Sequence, residues 1–147
     1  MKKHAYAMIA MIVLVGSMAV AAEAQTSGRT HLIANIRFDF NVGNKTLPAG
    51  EYTLTQVNPA SDQAVLQLRS KDGRTAAMVQ MTSVIGQPQE SAKLIFNRYG
   101  DHYFFAQAWV VGDNTGLQAL KTSAERVAER ELAGVKAKTE AIALQKR

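Results

Sequence analysis

The chain has 147 residues and no cysteine, with 17 basic against 12 acidic side chains for a formal net charge of +5. The missing thiols exclude disulfides, thiolate metal sites, thiol nucleophiles and lipid attachment through cysteine. A basic excess this mild suits solubility and falls short of the concentrated positive face that a nucleic-acid binder needs, so nucleic acid is not an expected partner.

Lys2 and Lys3 precede an apolar run from Ala5 to Val15, then small residues and Ala22-Glu23-Ala24, which is the order of a secretory signal. Cleavage is expected after Ala24, with Ala22 as the alternative, and the product is expected in the periplasm or outside the cell. A retained anchor fits less well, because the 18 residues from Ala5 to Ala22 are interrupted by Gly16 and Ser17 and a span prefers roughly 20 apolar residues. The 123 residues that follow Ala24 suffice for one domain with a real core. The expected division is a signal over 1–24, an antiparallel β domain over 25–120 and a C-terminal helix over 121–147.

Ile36, Phe38, Phe40 and Val42 alternate with Arg37, Asp39 and Asn41. This spacing predicts a half-buried strand running from near His31 to Val42. Gly43-Asn44-Lys45 reads as a bend. In Leu47-Pro48-Ala49-Gly50, Pro48 presets φ and Gly50 is free to take a positive one, so a turn is expected before a strand over Glu51 to Val57. Asn58 to Asp62 is a loop by composition. Strands follow at Ala64 to Arg69 and Thr75 to Ser83, joined through Asp72-Gly73, a strong hairpin signal.

A loop from Gly86 to Glu90 leads into the strongest expected hairpin, Ala92 to Tyr99 and His102 to Val111, turning at Gly100-Asp101. On its second arm Tyr103, Phe105, Trp109 and Val111 share one face, and Phe104, Ala106, Ala108 and Val110 the other. A strand apolar on both sides needs cover on both. Gly112 to Gly116 breaks the pattern. Thr122-Ser123-Ala124-Glu125 then offers a capping box for a helix beginning near Ser123, whose stripe of Ala124, Val127, Ala128, Leu132, Val135 and Ile142 is the natural second layer. The expected fold is all-β: an antiparallel sandwich or small barrel of about six to eight strands, with that helix as its lid.

The pairing of Phe38-Asp39-Phe40-Asn41-Val42-Gly43 with Leu47-Pro48-Ala49-Gly50-Glu51-Tyr52, and the later Phe96-Asn97-Arg98-Tyr99-Gly100-Asp101, resembles a group of small exported bacterial β-domain proteins of uncharacterised function. The resemblance spans about Ile36 to Gly112. It implies a compact β domain behind a signal peptide, and it implies no activity and no functional residue.

Catalytic chemistry is hard to assemble. Beyond the leader only His31 and His102 remain, and two scattered histidines do not make the converging set a zinc site requires, so no metal and no cofactor is expected. Serines 61, 70, 83, 91 and 123 fall in turns, loop edges or the helix cap, and none sits in Gly-x-Ser-x-Gly. Asp39, Glu51 and Asp101 are carboxylates whose separations a sequence leaves open. Phosphate loops and dinucleotide fingerprints do not occur. Arg98, Tyr99, His102 and Tyr103 form the one basic and aromatic cluster, at a hairpin tip, and with Trp109 they are the candidate contact residues.

The expected function is an exported, non-enzymatic binding or interaction module, its partner a protein, a glycan or a small apolar ligand, with self-association through the helix as a further possibility. The alternative is a carrier holding an apolar ligand in a barrel lined by Phe38, Phe40, Tyr103, Phe105 and Trp109. An enzyme with a dispersed carboxylate or histidine site is the third reading.

Overall fold

The computed structural model describes residues 31–58, 63–134 and 138–146; the expected signal over 1–24 and most of the 58–62 loop lie outside the described residues. In chain order the elements are β1 (Leu32–Ile36), β2 (Phe40–Val42), β3 (Lys45–Leu47), β4 (Gly50–Gln56), β5 (Ala64–Ser70), β6 (Ala76–Ile85), β7 (Lys93–Tyr99), β8 (His102–Trp109), β9 (Thr115–Ala119), α1 (Ser123–Glu131) and β10 (Lys138–Lys146).

Eight of these strands close on themselves. The order around the wall is β8, β7, β10, β1, β4, β5, β6 and β9, with β9 pairing back onto β8 through Gln107 opposite Gln118 and Ala108 opposite Leu117, antiparallel throughout. Between sandwich and barrel, closure decides for the barrel, which leaves none of these eight strands with an open edge. Alternation fills the interior: Ala34 and Ile36 from β1, Tyr52 and Leu54 from β4, Leu66 and Leu68 from β5, Val79 and Met81 from β6, Leu94 and Phe96 from β7. Eight strands give an interior that side chains can nearly fill.

The expected long first strand is two strands. Ile36 ends β1, the chain turns across Arg37 to Asp39, and Phe40 begins β2. The turn keeps the alternate apolar residues on the core, with Ile36, Phe40 and Val42 buried and Phe38 packed against them. It moves them from the wall to the floor. β2 pairs antiparallel with β3 and parallel with β8, and Lys45 Nζ donates to the Ala76 carbonyl at the start of β6 at 2.8 Å. This small hairpin plugs one end of the barrel. Phe38 stacks on Tyr103 at 3.8 Å, while Phe40 stands edge-on to Tyr52 and Phe96.

Around the plug, Ala49 N–H donates to Asp39 Oδ1 and the Tyr52 hydroxyl to the Pro48 carbonyl. Gly50 takes no positive φ; it opens β4 opposite Ile36. Left-handed backbone occurs instead at Gly43, Gly73, Gly100 and Gly112. Gly73 and Gly100 sit in the two expected hairpin turns, where a side chain would strain the backbone.

The C-terminal segment corrects the expectation most. α1 begins at Ser123 with Thr122 as its N-cap, the Thr122 hydroxyl accepting from Glu125 N–H, but it stops at Glu131. Residues 138–146 are the strand β10, not helix, and lie between β1 and β7. Without β10 those two neighbours would each present a row of unpaired backbone groups, and that demand outweighs the weak helical pattern of a segment beginning after Gly134. Ile142 therefore faces the barrel interior instead of joining a helical stripe, and Leu144 faces the interior beside it. A 3.6-residue wheel sets 142 and 144 on nearly opposite faces, whereas the two-residue alternation of a strand puts both on one. Val135 lies outside the described residues.

α1 does cover the outer face of β8. Ala128 is buried against Tyr99 and Phe104, with Leu132 beside them. Val127 remains half exposed. Among the described residues no helix is long and apolar enough to cross a membrane.

Candidate functional site: the open end of the barrel

The barrel's two ends differ. The plugged end is filled by Phe38, Phe40 and Leu47. At the other end a cavity of ≈ 270 Å³ enters between the strands. Its walls are Leu32 from β1, Leu54 from β4, Leu66 from β5, Leu117 from β9 and Leu144 from β10. Polar groups stand among them: Gln56, Asp113 and Thr115. Thr115 N–H donates to Asp113 Oδ1 at 2.9 Å, which fixes that carboxylate at the start of β9. Apolar walls with a few polar groups make a site that selects a greasy body and orients one polar end.

Trp109 bounds the same cavity, but from a different side than alternation predicts. Phe105 is opposite Phe96, whereas Gln107 is opposite Ile95, so Ala106 is an extra residue in β8. This bulge swaps the faces beyond it. Tyr103, Phe105 and Ala108 pack on the interior, while Trp109 leaves the Tyr103 and Phe105 face. Its ring lies over Gly86 and Gly116, and a Cβ on either glycine would stand 2.6 Å from a ring atom. Its indole N–H donates to Gln107 Oε1 at 2.9 Å. The expected aromatic cavity of Phe38, Phe40, Tyr103, Phe105 and Trp109 is thus split: the first four belong to the packed, plugged half, and only Trp109 reaches the open one.

The candidate contact residues do not converge either. Arg98 lies with its guanidinium carbon 5.3 Å from the Tyr103 ring centroid, and its Nε donates to the Gly100 carbonyl, so this pair serves the plugged end and the turn. Tyr99 points the other way, under α1. His102 is exposed and borders a shallow groove between β8 and α1, next to Phe104 and Ala128. Trp109 is at the far end of β8.

Glu125 is a buried carboxylate that the capping motif flagged for a different reason. Its Oε1 accepts from Asn97 Nδ2 at 2.8 Å and from the Tyr99 hydroxyl at 3.3 Å. The side chain that a capping box would turn back to Thr122 is spent on β7, and it pins α1 to the wall. Burial, and then the Glu125 carboxylate, push the Tyr99 phenol above its ordinary value of 10.0. The arrangement is a clamp. Among the described residues no three His, Asp or Glu side chains are grouped as a metal site would require.

The lining leucines were the residues that sequence reasoning passed over. Leu54 and Leu66 are legible as inward positions of their strands, but nothing local says which end of the barrel stays unplugged. Leu117 follows the Gly112 to Gly116 break in a stretch given no element, and Leu144 fell in the segment read as a helix. Compared with protein-family models, with curated proteins and with solved structures, the chain gives no match.

Proposed function

We propose that this chain is an exported, non-enzymatic binding module whose open barrel end takes a small apolar ligand. The observation that carries the reading is the asymmetry of the barrel: one end closed by a dedicated aromatic plug, the other holding a leucine-walled cavity of ≈ 270 Å³. Allowing about 30 Å³ for each non-hydrogen group, such a space suits about nine of them. The ligand is a short, greasy molecule with one polar end directed to Gln56, Thr115 and Asp113. Export rests on the leader sequence, and binding in place of catalysis on a site whose one charged lining residue is Asp113.

The test is a titration with octanol, octylamine and octanoate, read by Trp109 fluorescence and by melting temperature. At least one compound should shift both, since a ligand at 100 times its Kd adds about 2.7 kcal/mol to stability. Leu117→Phe, which fills the cavity from β9, should weaken that ligand at least tenfold. A panel that leaves both signals unchanged would sink the reading. Self-association through the helix has less to recommend it, because Ala128 and Leu132 already pack on this chain's own Tyr99 and Phe104.

A further inference from the structure

Seven large hydrophobic residues are exposed among the described ones, and four of them, Val57, Ile85, Val110 and Val111, gather at the open end. Val57 follows Gln56 at the end of β4, and Val110 lines the cavity. Ile85 ends β6 opposite Thr115 and is 82% exposed. Val111 follows β8 and bridges to Gln89. They come from three separate stretches of chain and lie along one arc of the entrance, from β4 past β6 to the end of β8.

We propose that this rim seats the protein on a lipid bilayer, so that the cavity mouth opens onto the source of its ligand; this rests on the apolar-ligand reading above. Four aliphatic side chains fall well short of the ~800 Å² per partner that a specific protein interface buries, which disfavours a second copy as the occupant. They suit shallow insertion, where separate apolar tips enter the lipid boundary and polar groups stay in water. Among the described residues the charged side chains at this end balance, with Lys93 and Lys146 against Glu90 and Asp113, so attraction should not need anionic lipid.

Flotation with neutral phosphatidylcholine vesicles tests the proposal. Wild-type protein should float, with little change between low and high salt, and Val57→Ser/Ile85→Ser/Val111→Ser should reduce the bound fraction at least fivefold while keeping the octyl-ligand response of Trp109. Equal flotation of the two proteins, or none by wild type, overturns the proposal even if ligand binding persists. Loss of the ligand response in wild type defeats the cavity reading instead. A dimer in wild type that the variant abolishes assigns the rim to a second copy and also overturns it. Should the triple variant not fold, brominated phosphatidylcholine decides with wild type alone: Trp109, adjacent to the rim, should be quenched, and an unquenched signal refutes the seat.

Discussion

Gly116 shows how much one missing methyl group can decide. The indole of Trp109 occupies the place where a Cβ at 116 would stand, 2.6 Å from a ring carbon at the fused edge. A fused ring on a wall strand has no flexible tip to swing aside, so Gly116→Ala should cost about 1–3 kcal/mol by overpacking and shift Trp109 emission toward that of a wetter indole. Urea unfolding followed by fluorescence checks both. A second residue-scale case is Tyr99. Its phenol is held above 10.0 by burial first and by Glu125 second, so the folded state keeps the proton longer than the unfolded state does. The stability this represents is complete below about pH 10 and is lost as pH rises through the folded value. Tyr99→Phe should therefore flatten the alkaline decline while costing about 1 kcal/mol at pH 7, where Glu125 loses a donor. Tyr52, raised by burial and then by Asp72 and Asp39, keeps part of that decline. Urea midpoints at pH 7, 9 and 11 would show it, and an unaltered alkaline slope would count against the assignment.

At the scale of elements, β10 is the piece on which closure depends. It pairs with β1 over Leu32 to Ala34 and with β7 over Lys93 to Arg98. Ending the chain after Glu131 should abolish the cooperative thermal transition and produce aggregates by light scattering, because β1 and β7 would expose their edges. Were the tail only a lid, the truncated protein would still melt cooperatively. Most strands were legible to within two residues from alternation and turn chemistry, as with β4 after Pro48 and β5–β6 around Asp72-Gly73. α1 was legible at its start, where Thr122 gives a local signal. Its end was not. Gly134 marks a weak point, yet only the gap between β1 and β7 makes the following residues extended. β9 was missed because it begins inside the Gly112 to Gly116 run, where glycine and turn residues interrupt the alternation; Gly116 is required by Trp109, seven residues earlier in the chain.

For the whole molecule, the informative property is the difference between its ends, which puts a plug at one and a greasy entrance at the other. Both proposals live at this scale, the ligand in the cavity and the bilayer at its rim. The sequence by itself determined the β class, the inward residues of most strands, the hairpin turns and the helix start, because periodicity and turn chemistry act within a few residues. The tertiary structure alone decided that the sheet closes, that the Ile36 to Val42 run bends into a plug, that Ala106 turns Trp109 away from Tyr103, and that the tail is a strand. Those outcomes depend on which backbone edges lack partners and which space remains to be filled, and both are set by residues far apart along the chain.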